Sequence, residues 1–318
     1  METSLRAAGP GTTGSAARRL ALVLNEKAGA VLAGTATPDM VRARFAEGGA
    51  AITEPPPGTL RDRLRAAAKA ADIVVVAGGD GTVACAATVL ADTDIALGIL
   101  PCGTMNLLAR DLGLPADDVN AATAAILHGQ TRMIDVGMAS GGMAGGYPFL
   151  CACMLGSPVR LGRHREQARR HGRVRQWLQF ARAAVLVLRR PHSLRLTMVV
   201  DGHGHSHQLR TRSLTITLGA LTDQTGRMFG RARLDEGVLC AYAVLRHGIF
   251  DLLRVFWRLA HGRNRDPALS VFTGQDITID AASGRLHVMI DGEVELLATP
   301  VRFTVRPRAL KVLVPEGL

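Results

Sequence analysis

The sequence predicts a doubly wound α/β domain followed by an antiparallel β-sandwich, and two observations carry this prediction. In roughly the first 130 residues, short apolar runs alternate with helical patterns, which is typical of parallel strands covered on both faces. From about residue 133, strand-like runs follow one another, and several of them alternate apolar and polar residues. A length of 318 residues with 47% hydrophobic and 20% charged residues suffices for two domains and excludes wholesale disorder.

The front half contains four predicted strands and three predicted helices in alternation. Pro38 stands where a helix can begin, and the continuous apolar run 73–77 is expected of a central parallel strand. We predict strands at 20–24, 50–53, 73–77 and 95–100, and helices at 38–47, 59–71 and 83–90. Residues 1–17, rich in Gly, Ala, Thr and Ser, are predicted to be a disordered tail, and 18–132 to form the α/β domain.

The back half is predicted to be a sandwich or barrel, spanning 133–305, with two helical inserts at 165–188 and 249–261. Residues 306–318 are predicted to be a closing strand that returns to the first domain. The predicted strands are 133–138, 149–154, 194–200, 214–218, 238–245, 276–279, 286–290 and 301–305.

Charge and composition narrow the function classes. The formal net charge of +11 favours anionic partners such as nucleotide phosphates or an acidic membrane surface. Aromatic residues make up only 4%, which argues against a platform for single-stranded nucleic acid. No apolar run reaches the roughly 18 residues of a membrane-spanning helix. The five cysteines form no Cys-x-x-Cys pair, so we expect reduced core residues of a cytoplasmic protein.

The strongest local signal is the turn Gly78-Gly79-Asp80-Gly81-Thr82, between the predicted strand 73–77 and the predicted helix 83–90. Glycines at such a junction allow backbone N–H groups to approach phosphate oxygens, and the helix N-terminus adds partial positive charge. The Asp80 carboxylate would repel a phosphate, so its expected role is to hold Mg²⁺ against the nucleotide. The alternative is a tight strand-to-helix turn in which Asp80 and Thr82 act as caps.

A second glycine turn, at Gly103, Thr104 and Asn106, follows the next predicted strand. Because the carboxyl ends of adjacent parallel strands share one crevice, both turns and Asn25 are expected to face the same ligand. The Thr104 hydroxyl and the Asn106 amide are candidate nucleotide contacts, and helix capping is the alternative for both.

Together these motifs resemble the catalytic domain of the diacylglycerol kinase and lipid kinase family, which is distantly similar to NAD kinases. Further matching segments occur in the right order, and the resemblance covers roughly residues 18–318. The matching segments are 78–82, 98–113, 134–137, 232–239, 290–293 and 309–315.

The resemblance implies an ATP- and Mg²⁺-dependent kinase acting on a lipid alcohol. It implies that Gly78, Gly79, Asp80, Gly81, Thr82 and Thr104 bind ATP, with Thr53 a weaker adenine-side candidate. It implies a structural magnesium loop with ligands from Arg233, Glu236 and Val238. Glu293 would accept the proton of the lipid hydroxyl, with Asp291 assisting or holding metal, and Asp80 competes with Glu293 for the role of base.

The residues themselves leave alternatives open. Asp291 and Glu293 are two positions apart, so on an extended strand both would point to one face; Asp291-Gly292 alone also fits a hairpin turn. The sequence departs from the family at Ala84-Cys85, where Asn-Glu is common, and at Glu236, where Asp is usual. A soluble NAD-kinase-like enzyme and a nucleotide-binding regulator without activity are therefore the rival functions.

Basic and aliphatic residues intermix between 160 and 190, and their spacing predicts a basic amphipathic helix. Such a helix suits peripheral binding to an anionic membrane surface, and packing of its apolar face on the sandwich is the alternative. We expect ATP and a lipid alcohol as partners, with no nucleic acid, and leave a homodimer open.

Overall fold

The computed structural model describes residues 18–25, 37–103, 105–115, 118–142, 146–159, 193–202, 206–222, 230–231, 233–244 and 269–316. The predicted tail at 1–17, the two predicted helical inserts and Thr104 lie outside the described residues. Within the described part of the chain, no helix is long and apolar enough to cross a membrane.

The first domain is built on four parallel strands, in the order β2-β1-β3-β4. Every residue of β1, β3 and β4 is buried, as their unbroken apolar sequences predict. The strands are β1 (Leu20–Leu24), β2 (Ile52–Thr53), β3 (Ile73–Gly78) and β4 (Ala96–Pro101).

In the described residues, five helices accompany this sheet: α1 (Pro38–Glu47), α2 (Leu60–Ala70), α3 (Asp80–Leu90), α4 (Leu107–Asp111) and α5 (Val119–His128). Helices α1 and α5 bury Phe45 and Ile126 in one core cluster, whereas α2 and α3 bury Leu64 and Leu90 in another. Side chains that alternate along the strands supply both clusters, so the sheet is covered on its two faces and the α/β prediction is confirmed. The sequence pattern did not predict α5.

Twelve further strands follow from residue 130 onward in the part of the chain that the structure describes. Six of them form a second, antiparallel sheet in the order β12-β11-β10-β7-β14-β15, and the others extend the first sheet. Phe303 and Ile277 of the first sheet share a buried cluster with Ile216 and Leu239 of the second, so the predicted sandwich is confirmed. The strands are β5 (Gln130–Ser140), β6 (Tyr147–Phe149), β7 (Ala152–Gly156), β8 (Leu194–Val200), β9 (Ser206–Thr211), β10 (Ser213–Leu218), β11 (Leu239–Val244), β12 (Leu269–Gly274), β13 (Asp276–Asp280), β14 (Arg285–Ile290), β15 (Glu293–Ala298) and β16 (Val301–Val314).

Strand β16 joins the two domains. Its first half pairs antiparallel with β13, and its second half runs parallel to β4, with Val312 opposite Leu97. Its register against β5 shifts between Arg306 and Leu310, where Arg308 has a φ of 49°. The sequence predicted a strand at 301–305 and a separate closing strand at 306–318. The structure joins the two in one strand and accommodates Pro307 in the bulge.

The predicted strand 149–154 is interrupted in the structure. Strand β6 ends at Phe149 and β7 begins at Ala152, leaving Leu150 and Cys151 as a two-residue connection. This connection, called the 150–151 link below, is buried at both residues. Its backbone amides are bound by a side chain from a distant hairpin, which the apolar sequence of the run did not reveal.

Candidate active site

Two glycine turns meet at the carboxyl edge of the parallel sheet. Gly79 lies between β3 and α3, and Gly103 lies between β4 and α4. A Cβ built on Gly103 would lie 2.5 Å from the Cα of Gly79, and one built on Gly79 would lie 3.0 Å from the Cα of Gly103. Only glycine permits this approach at Gly103, so the two turns form one continuous backbone surface.

Asp80 links the two turns. It is the first residue of α3, and its Oδ1 accepts a hydrogen bond of 2.8 Å from the N–H of Leu107, the first residue of α4. Burial raises the pKa of Asp80, while N–H groups at the start of α4 act in the opposite direction. A half-buried carboxylate with a raised pKa in a crevice is a frequent property of functional sites.

Asn25 and Thr82 tie the end of β1 to the first turn of α3. The Asn25 Nδ2 donates a hydrogen bond of 2.8 Å to the Thr82 Oγ1. Thr82 is buried, and a Cβ built on Gly78 would lie 2.4 Å from the same hydroxyl oxygen. The structure therefore brings Asn25, Gly78 and Thr82 together beside Asp80, as the crevice argument predicts.

Asn106 and Thr53 are placed differently. The Asn106 Oδ1 accepts from the Gly103 N–H (2.9 Å) and its Nδ2 donates to the Gly103 carbonyl (3.0 Å), so the amide shapes the second turn from within. Thr53 lies opposite Ala21, about 10 Å back from the end of β1, and its hydroxyl donates to the Leu20 carbonyl. The structure does not bring Thr53 next to the glycine turns.

Glu293 enters this crevice from the second domain. It is exposed and opens β15, and a Cβ built on Gly81 would lie 2.8 Å from its Oε1. The carboxylate thus lies against the first turn of α3, one residue from Asp80. Glycine at position 81 leaves the space that this carboxylate occupies.

Asp291 is placed differently from what the sequence suggested. Asp291 (φ 44°) and Gly292 (φ 96°) form the two-residue turn of the β14–β15 hairpin, so the expectation that Asp291 and Glu293 share a strand face is wrong. The Asp291 Oδ2 accepts from the Leu150 N–H (2.6 Å), and its Oδ1 accepts from those of Cys151 and Ala152 (both 2.9 Å). Burial raises the pKa of Asp291, although these donors oppose it. Its carboxylate is used to hold the 150–151 link.

The predicted magnesium-loop ligands converge on Gly219. A Cβ built there would lie 3.0 Å from the Glu236 Oε2 and 3.1 Å from the Arg233 carbonyl oxygen. The Val238 carbonyl accepts from the Gly219 N–H (2.8 Å), and Glu236 Oε2 accepts from the Ala220 N–H (3.1 Å). In the described ranges no group of three or more His, Cys, Asp or Glu side chains could hold a metal. The predicted ligands at this loop are the Glu236 carboxylate and the carbonyl oxygens of Arg233 and Val238. Hard oxygen donors of this kind fit Mg²⁺.

Sequence reasoning gave no role to Asp135, which is buried in β5. Its Oδ2 accepts from the Gly237 N–H (2.6 Å) and its Oδ1 from the Arg308 N–H (2.8 Å), so it fastens the predicted magnesium loop to the bulge of β16. A single carboxylate inside an apolar strand was the available signal. Arg231, which is also buried, carried no signal because it lies outside every matching segment.

Two family models match this chain: the diacylglycerol kinase catalytic domain over residues 19–139, and the YegS C-terminal NAD kinase beta sandwich-like domain over residues 157–314. A diacylglycerol kinase of Mycobacterium tuberculosis is 30% identical over an alignment of 270 residues, and the match covers 79% of this chain and 79% of the relative. A diacylglycerol kinase of Bacillus subtilis is 40% identical over 86 residues, 25% of this chain and 28% of the relative.

Solved structures are similar in fold. The crystal structure of a diacylglycerol kinase from Bacillus anthracis superposes with a TM-score of 0.65 at 18% identity, covering 94% of this chain and 98% of that one. A second structure from the same organism gives a TM-score of 0.71 at 19% identity over the same shares. At these identities the likeness concerns the fold.

Proposed function

Because this chain belongs to the diacylglycerol kinase family, we propose that it transfers the γ-phosphoryl group of ATP to a hydroxyl of a diacylglycerol-like or sphingoid-like lipid. The enzyme is a phosphotransferase with an alcohol acceptor, and it is a lipid kinase. Its relatives are named diacylglycerol kinases. What we propose beyond this is that ATP is the phosphoryl donor and that the acceptor is a lipid of the class named above.

One observation carries the proposal: the Glu293 carboxylate of the second domain lies against Gly81 of the first. Phosphoryl transfer to an alcohol needs a phosphate-binding turn and a proton acceptor within reach of the attacking hydroxyl. The crevice combines a glycine turn at the start of a helix with an exposed carboxylate directly above it. This pairing of domains supports a kinase more directly than either motif alone.

On the donor side, the backbone N–H groups of the two glycine turns are the groups that would hold ATP phosphates. The Asp80 carboxylate is the hard oxygen donor that would hold Mg²⁺, since an ionised carboxylate accepts more contacts than the one from Leu107. Bound Mg²⁺ would supply charge neutralisation at the phosphates. Gly103, Asn106 and Thr82 fix the shape of the turns.

On the acceptor side, we assign the role of general base to Glu293. Its carboxylate is exposed in the crevice, so a substrate hydroxyl can reach an Oε atom and give up its proton there. The Asp80 Oδ1 is engaged with α4, and the Asp291 oxygens hold the 150–151 link. Access to an anionic membrane surface, where such a lipid resides, is consistent with the net charge of +11. A homodimer stays a prediction.

The test is a kinase assay with labelled ATP and Mg²⁺ on diacylglycerol, ceramide and sphingosine in mixed micelles, with NAD as a soluble acceptor. We expect one lipid to be phosphorylated and NAD to be untouched. Glu293→Gln should lose about 10²–10⁴-fold in kcat while binding ATP normally. Glu295→Gln, two residues along the same strand, is the matched control and should retain activity. Phosphorylation of NAD, or of no lipid, would refute the proposal.

A further inference from the structure

A buried ion pair joins the two domains behind the crevice. The Arg231 Nε lies 2.8 Å from the Asp111 Oδ2, and their side chains are only 2% and 7% exposed. The Arg231 backbone N–H also donates to the Asp111 Oδ1 at 3.3 Å. Asp111 is the last residue of α4 in the first domain, and Arg231 belongs to the second, so the pair fixes one domain to the other.

Arg231 also holds the 150–151 link. Its Nη1 donates to the Leu150 carbonyl at 2.6 Å. The same link offers its N–H groups to Asp291, and the Asp291 N–H donates to the Ala152 carbonyl at 3.0 Å. The link is therefore bound from two directions: Arg231 donates to its carbonyl oxygen, and Asp291 of the β14–β15 hairpin accepts from its N–H groups.

These contacts close a ring around the crevice. Asp80 binds the start of α4, and α4 ends at the ion pair. Arg231 of the pair binds the link, and the link binds the hairpin. Glu293 of that hairpin contacts Gly81, the residue after Asp80. In order, the members are Asp80, Leu107, Asp111, Arg231, Leu150, Asp291, Glu293 and Gly81. The position of Glu293 over the glycine turn is thus tied to the ion pair through the short backbone segment 291–293 and through the hydrogen bonds that join Asp291 and Arg231 to the link.

We propose that Arg231 and Asp111 are positioning residues for the transfer, which set where the Glu293 carboxylate lies relative to the first glycine turn. This inference rests on the proposed function. Stability alone does not require the pair, because replacing a buried ion pair with apolar residues is often neutral or stabilising. The geometry of the reaction does require the pair, because a displacement of about 1 Å at the reacting groups can lower the rate about 10²-fold.

The decisive variant is the double substitution Asp111→Leu with Arg231→Met, which removes both charges and leaves neither buried alone. The control is the exposed pair Arg19–Asp72, changed in the same way to Met and Leu. Melting temperature, ATP affinity, kcat and KM are measured for each, with backbone hydrogen exchange as a readout independent of turnover. Arg231→Lys tests rescue by a conserved charge.

For the double variant we expect a melting temperature near that of the parent, unchanged ATP affinity and a kcat about 10–100-fold lower. The rate of backbone hydrogen exchange should rise at residues 150–152 and in the β14–β15 hairpin, but not in β3. Arg231→Lys should recover part of the kcat. Full kcat in the double variant, or lost kcat without faster exchange at the hairpin, would overturn the proposal. If the parent phosphorylates no lipid, the proposed function fails, and unchanged exchange would separately refute the positioning.

Discussion

Replacing Gly81 with alanine should separate stability from catalysis, because the new methyl group falls on the position of Glu293. The Cβ would lie 2.8 Å from the Glu293 Oε1, whereas ordinary contacts begin at 3.4 Å, so the carboxylate must retreat by about 0.6 Å. The displaced atom is the end of a flexible side chain, so the fold can accommodate it. Gly81 lies within α3, where alanine is favoured over glycine by about 0.4–1 kcal/mol.

We therefore expect Gly81→Ala to melt about 1–4 °C higher than the parent while kcat falls about 10–100-fold, with ATP affinity little changed. Thermal unfolding and steady-state kinetics at saturating ATP measure the two effects. Gly58→Ala is the control, since its Cβ would make only an ordinary contact, 3.6 Å from Asp62 Cβ. A Gly81→Ala enzyme with full kcat, alongside an inactive Glu293→Gln enzyme, would show that the carboxylate does not act from this position.

Two further substitutions test buried carboxylates. Asp80→Asn should abolish most turnover. Because the folded pKa of Asp80 is raised, ionisation of this carboxyl lowers the stability of the parent as pH rises from the unfolded pKa of 3.8 through the folded pKa. Denaturant unfolding should show the variant losing less stability than the parent between acid and neutral pH, and an equal loss in both would contradict the assigned burial. Asp135→Ala leaves the N–H groups of Gly237 and Arg308 without their acceptor and should cost about 2–5 kcal/mol, whereas Asp94→Ala at the surface should cost less than about 1 kcal/mol. Similar losses for the two alanine variants would refute the role of Asp135.

The fold was largely predictable because burial on both faces leaves a simple record. The unbroken apolar runs of β1, β3 and β4 can hardly be anything but central strands, and Pro38 marks the start of α1 as observed. Strand β9 was missed because its sequence, Ser206–Thr211, is mostly polar and exposed at a sheet edge. Edge strands need little apolar surface, so their pattern is weak.

The site was predictable where chemistry requires glycine, and less so where it depends on partners far along the chain. The turn at Gly78–Thr82 and the meeting of Asp80 with the second turn follow from strand order. The role of Asp291 could not be foreseen, because its partners are backbone N–H groups about 140 residues away, and backbone groups leave no trace in a sequence. Arg231 was missed for the same reason: one of its partners is a carbonyl oxygen.

The long strand β16 has a consequence for synthesis of the protein. Val312 covers β4 at Leu97, so that edge of the first sheet stays open until roughly 200 further residues have been made. At about 5–20 residues per second, the nascent chain exposes one unpaired edge of this fully apolar strand for about 10–40 s. Such edges pair readily with other chains. Removing the second half of β16 should therefore cause the protein to aggregate during and after its synthesis. The first domain expressed alone should be bound by holdase chaperones.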